Sequence, residues 1–93
     1  MKIKIEYWKY KDLWMIIDTS SAKNGYYAVL YKNLQWQHSS ALEDIPEQTY
    51  ATREEAEEYL KKWLDILPKE EAEQIFAEYI AQRMGVTSEN TPY

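Results

Sequence analysis

A chain of 93 residues with 45% hydrophobic residues, four Trp and nine Tyr has the large apolar side chains that one folded core needs and is too short for two independent cores. The absence of cysteine removes disulfides, thiolate metal sites and a cysteine nucleophile, and suits a reducing compartment. The net charge of −5 is unevenly spread: residues 1–40 carry +3 and residues 41–93 carry −8, an asymmetry that bears on partners and leaves the fold open.

The chain opens on Met1-Lys2-Ile3-Lys4, which has no apolar region of a secretory signal. No apolar run reaches the roughly 18 residues of a membrane span. The expectation is a cytoplasmic protein. Residues 2–19 alternate with period two and are rich in Ile, Trp and Tyr, which predicts a hairpin turning near Tyr10-Lys11-Asp12. Closing it at Lys11-Asp12 pairs Tyr10 with Leu13 and mixes charged and apolar residues on both faces. A register in which paired numbers sum to 22 instead gathers Ile3, Ile5, Tyr7, Leu13, Met15 and Ile17 on a core face. The same register places Lys4 opposite Asp18 and Trp8 opposite Trp14 on the other face, beside Lys2, Glu6 and Ile16. This is the preferred register, because a one-residue slip sends half the apolar set to water and each favourable cross-strand pair contributes about 0.2–1 kcal/mol.

Residues 20–25, SSAKNG, read as a polar loop ending in an Asn-Gly turn. A third strand, YYAVLYK, follows, and a tight turn at Lys32-Asn33 predicts a fourth over residues 34–39, with Tyr27, Val29, Tyr31, Leu34 and Trp36 sharing a face. SALEDIPEQTY reads as a surface loop, extended at Ile45-Pro46. Thr52 and Glu55 form a capping-box pattern that starts a helix. Its stripe, Ala56, Tyr59, Leu60, Trp63, Leu64 and Leu67, repeats at helical spacing and ends at Pro68. Pro68 suits the opening of a second helix, with Ala72, Ile75, Phe76, Tyr79, Ile80 and Met84 as its stripe and Gly85 as its stop. The fold class is therefore α+β: an antiparallel four-stranded meander with two amphipathic helices on one face. The expected domain spans residues 1–85, with a flexible tail over residues 86–93.

Catalytic constellations are sparse. His38 is the sole histidine, so a Ser/His/Asp arrangement has one possible base, and the two glycines, Gly25 and Gly85, are too far apart to cradle a phosphate. The expectation is a protein that is not an enzyme and needs no metal or cofactor. Two surfaces stand out for a protein partner. One is a sheet face carrying Lys2, Lys4, Trp8, Trp14 and Ile16, of the aromatic type enriched at interface hot spots and also open to a homodimer. The other is an acidic helix face carrying Glu54, Glu57, Glu58 and Glu73. Small acidic inhibitors or adaptors of phages and mobile elements, acting on a nuclease, a repressor or a defence complex, fit this description. The outline of strands followed by YATREEAEEYL, with Thr52, Glu55 and Ala56 at the helix start, resembles the small N-terminal arm-binding domains of tyrosine recombinases. That resemblance implies nucleic acid on the sheet face. The pI of about 4.8 opposes it, since Lys and Arg supply most backbone affinity.

Overall fold

The computed structural model describes residues 1–9, 11–23, 26–38 and 46–84. The period-two half forms β1 (Ile3–Trp8), β2 (Leu13–Lys23), β3 (Tyr26–Leu30) and β4 (Trp36–His38), an antiparallel sheet in the order β1-β2-β3-β4. A 3-10 turn at Pro46–Gln48 leads to α1 (Arg53–Leu64) and α2 (Lys69–Arg83). The expected meander with two helices is the observed fold. α1 lies over β1 and β2, and α2 over β1. Gly85 and the tail over residues 86–93 lie outside the described residues.

Both hairpins close in a register one residue away from the expected one. Ile3 pairs with Asp18, Ile5 with Ile16, Tyr7 with Trp14 and Trp8 with Leu13. Lys4 therefore faces Ile17, not Asp18, and Trp8 and Trp14 stand on opposite faces of the sheet. The cause is the loop. Between Trp8 and Leu13, Lys11 N–H donates to Trp8 O at 3.2 Å, and Asp12 takes φ 56°, a left-handed conformation that Asp tolerates through its short polar side chain. β2 is apolar on both faces, Trp14 and Ile16 on one and Met15 and Ile17 on the other, so hydrophobic patterning does not discriminate between the registers and the turn decides.

In the second hairpin Leu30 pairs with Trp36 and Val29 with Gln37, so Trp36 shares a face with Leu30 and leaves Val29. Residues 32–34 form a three-residue loop in which Leu34 N–H donates to Tyr31 O at 2.9 Å and Tyr31 N–H to Gln35 O at 2.9 Å. Leu34 closes it at φ 68°. This is the type I turn plus left-handed residue that usually takes glycine. A leucine there costs about 1–2 kcal/mol, offset by packing its side chain on the core.

β2 runs through Lys23 and absorbs most of SSAKNG, which is not a loop over residues 20–23. The β2–β3 register shifts between Asp18 and Lys23, and a polar knot holds the bulge. The buried Asp18 accepts at Oδ1 from Lys2 N–H at 3.0 Å, Ser20 N–H at 3.0 Å and Ser20 Oγ at 2.7 Å. Ser21 Oγ donates to Asp18 O at 2.7 Å and accepts from Ala28 N–H at 2.9 Å, replacing the ladder bond that the bulge interrupts. Burial alone pushes the Asp18 carboxyl up, but the hydrogen bonds from Ser20 and Lys2 outweigh it and hold the group below its ordinary value.

The end of the expected surface loop is core. Tyr50 is 0% exposed. It forms a two-bond bridge with Trp14, each N–H donating to the other's carbonyl at 2.8 Å, and its hydroxyl donates to Leu30 O at 2.9 Å. It belongs to one core cluster with Ile3, Ile16 and Leu30 from the sheet and Leu60, Trp63 and Tyr79 from the helices. Trp63 is buried as expected and meets Trp36 edge-on, centroids 5.3 Å apart. Phe76, expected to be buried, is half-buried, and Met84 is exposed. At α1 the capping box forms: Thr52 Oγ accepts from Glu55 N–H at 3.0 Å. The Glu55 carboxylate reaches one residue beyond the cap, to Ala51 N–H at 2.8 Å.

Candidate functional site

The structure divides the residues expected to share a partner-binding sheet face. Ile16 is 0% exposed within the main core. Trp14 packs against the same core beneath the helices, 5.0 Å from the Tyr7 ring. Trp8 lies half-buried on the other face against Met15, Ile17 and Val29. Lys2 and Lys4 are exposed, Lys2 giving its amide to Asp18 and Lys4 pairing with Glu6 at 3.5 Å. An exposed two-tryptophan patch is therefore not formed. On the acidic helices Glu54, Glu58 and Glu73 are exposed, whereas Glu57, expected to be wet, accepts from the Tyr79 hydroxyl at 2.7 Å and pairs with Arg83 Nε at 3.1 Å.

A different site is built at the β1 edge. Thr19 N–H donates to Lys2 O at 2.9 Å, which makes Lys2–Thr19 a hydrogen-bonded pair. Antiparallel alternation then turns the peptide groups of Lys4 and Glu6 toward β2 and those of Ile3, Ile5 and Tyr7 away from it; Ile3 at 1% and Ile5 at 7% exposed are nonetheless shielded from solvent, main chain included, and Tyr7 is the open position. The Trp14–Tyr50 bridge supports this phase, because Trp14, opposite Tyr7, bonds away from β1. No described strand lies on the outer side of β1.

Beside this edge opens a cleft of about 410 Å³ lined by Ile3, Lys4, Ile5, Arg53, Tyr79, Gln82 and Arg83, a volume at the lower end of the range for ligand sites. Its rim is cationic in an acidic protein. Arg53 stacks over the Trp14 ring at 4.8 Å, a contact of about 0.5–1 kcal/mol. It makes no ion pair among the described residues. Arg83 is held by Glu57, and the same carboxylate fixes Tyr79, whose phenol burial and then the Glu57 hydrogen bond push up while Arg83 and Arg53 pull it down.

Sequence reasoning missed Arg53, Gln82 and Arg83 because they converge from the two ends of the helical half. One signal was available. Arg53 occupies the first helical position, where the helix dipole disfavours a cation by about 0.3–1 kcal/mol, and a residue placed against local preference invites a reason.

His38 lies on β4, the opposite edge of the sheet, with Nε2 at 2.7 Å from Ser21 O. It serves the bulge. Among the described residues there is no cluster of three or more potential metal ligands, and no helix is long and apolar enough to cross a membrane. No family model matches the chain, and neither a curated protein nor a solved structure shows significant similarity to it.

Proposed function

We propose that the protein is a non-catalytic protein-binding module, an adaptor or small inhibitor, whose contact surface is the cleft beside β1 and not a tryptophan face. The observation that carries this reading is the cationic rim of Lys4, Arg53 and Arg83 on that cleft, in a chain of net charge −5. Such a rim offers positive charge beside an apolar floor at Ile3 and Ile5, which suits a complementary side chain of a partner protein. His38, engaged at the far edge, supports binding over acid–base chemistry.

Reversing Lys4 to Glu together with Arg53→Gln tests the surface. Lys4 is exposed and both residues line the cleft, so the pair of changes removes rim charge. A partner isolated from nuclease-treated extracts of the source cell should be lost with these changes and retained when Glu54, Glu58 and Glu73 are reversed to Lys. The opposite pattern assigns the interface to the acidic helices and ends the cleft reading.

A further inference from the structure

The ion pairs around the cleft leave a single cation uncompensated. Lys4 is paired with Glu6 at 3.5 Å and Arg83 with Glu57 at 3.1 Å, whereas Arg53, half-buried on the same cleft, makes no ion pair among the described residues. We infer that the cleft holds one singly charged carboxylate, the side chain of an aspartate or glutamate of a partner protein, with Arg53 as its counter-ion and Lys4 and Gln82 as further donors. The inference rests on the binding reading above and adds the chemistry of the group that is bound. Only side chains are engaged, so the shielded main chain of Ile3 and Ile5 takes no part.

Local charge favours a carboxylate over a phosphate. Attraction to the cleft rises in proportion to the ligand's charge, while the cost of taking that charge out of water rises as its square. Glu6 and Glu57 already stand beside two of the three cations, so a phosphate dianion meets one free positive charge and two carboxylates. A guanidinium matches a single carboxylate with two parallel donors. A nucleic-acid phosphodiester is also singly charged, but it arrives as a strand, and a chain of net charge −5 repels the phosphates on either side.

The lining favours a protein's side chain over a free acid. Small-molecule pockets hold their ligands mainly through apolar and aromatic walls. Here Ile3 and Ile5 are buried and offer little open surface, and Lys4, Arg53, Gln82 and Arg83 make up most of the rest. A carboxylate held in this way is paired but hardly desolvated by apolar contact, so its carrier needs further contacts outside the cleft. A partner protein supplies them.

The experiment titrates the isotopically labelled full chain at fixed ionic strength and follows the Arg53 Cζ and Gln82 side-chain amide signals. The probes are glutamate, glutamine and phosphoserine, each blocked as the N-acetyl methylamide, together with acetate, benzoate and a short oligothymidylate. The pH is held above the second phosphoserine pKa of about 6. The glutamate probe should move both signals and the glutamine probe neither. Arg53→Gln, followed at Gln82 in a variant whose amide spectrum shows a retained fold, should weaken glutamate binding at least about tenfold, or about 1.4 kcal/mol. Glu57→Gln removes a carboxylate from beside the rim and should raise phosphoserine affinity more than glutamate affinity, whereas a purely structural Glu57 would change both alike.

Phosphoserine or oligothymidylate binding more tightly than glutamate to the unaltered protein would refute the carboxylate and leave the cleft as a binding site. Benzoate binding clearly more tightly than acetate would assign the cleft to a small organic acid instead of a partner's side chain. Equal responses to glutamate and glutamine, or none to any anion, would also end the inference. The binding reading itself falls separately, if the partner from extracts is retained with the Lys4 and Arg53 changes.

Discussion

Replacing Asp18 should cost more stability than its place in a serine-rich stretch suggests, and the cost should depend on pH. Its Oδ1 accepts three hydrogen bonds of 2.7–3.0 Å, two from the backbone amides of Lys2 and Ser20 and one from the Ser20 hydroxyl. Hydrogen bonds to a charged group contribute about 1.5–3 kcal/mol each when buried. The Ser20 hydroxyl is exposed and returns to water at little cost, so the two amides dominate, and Asp18→Ala should lose about 2–4 kcal/mol. Against a total stability of about 5–15 kcal/mol this is a large fraction. With a urea slope of about 1.5 kcal/mol per molar, 3 kcal/mol moves the midpoint by about 2 M. Asp18→Asn keeps an acceptor oxygen but adds donors to a site already made of donors, and should lose about 1–2 kcal/mol.

The pH dependence follows from linkage. The folded carboxyl sits below its ordinary value, so its stabilisation is fully present above the unfolded pKa of about 3.9 and is lost as pH falls through the folded value. The gap between wild type and Asp18→Asn, measured by urea denaturation followed by tryptophan fluorescence, should be constant near neutrality and narrow in acid. A loss below about 0.5 kcal/mol for Asp18→Ala, within the range of ordinary surface substitutions, would refute the assignment of the bulge to this carboxylate. So would a gap that does not narrow in acid.

Trp63→Ala, at a site 7% exposed and packed edge-on to Trp36, should cost about 3–5 kcal/mol, whereas the half-buried Trp8→Ala should cost clearly less; equal losses in thermal melts would mean that Trp8 belongs to a full core of its own. Tyr50→Phe keeps the ring and deletes the bond to Leu30 O, and should lose about 1–3 kcal/mol by leaving a buried carbonyl short of a donor. Leu34→Gly exchanges a left-handed penalty of about 1–2 kcal/mol for lost core contact and should change stability by less than about 1 kcal/mol, a near-cancellation that differential calorimetry can check. Glu57→Gln weakens both the hold on Arg83 and the bond from the Tyr79 hydroxyl, and should lose about 1–2 kcal/mol in urea denaturation.

The class of fold and the start of α1 were legible in the sequence because they rest on local signals: a switch of period, and a Thr52–Glu55 box whose hydroxyl bond forms as its chemistry requires. The strand faces were not. β2 is apolar on both sides, so a slip of one residue leaves comparable patterns, and the registers were set by Asp12 and Leu34 turning left-handed, which for leucine no local rule anticipates. Serines 20 and 21 look like loop residues in any window; they join a strand because Asp18 and Ala28 need their bonds. Lys4 alone among the expected sheet-face residues lines the cleft. The arginines that define it are brought there by how the helices fold back, which spacing does not reveal.

Tyr50 bears on the order in which the protein assembles. It fills the place beside Trp14, and the Thr52 cap of α1 follows almost at once. Joining the sheet and seating the first helix are therefore mechanically one event. Elements that form together open together, as contiguous cooperative units do in native-state exchange. The Trp14 and Tyr50 amides should accordingly exchange with solvent only when the whole domain unfolds, while the β4 edge opens more readily. A chain cut before residue 50 would retain the strand sequences yet lack both the bridge and the helix layer that makes them a sheet.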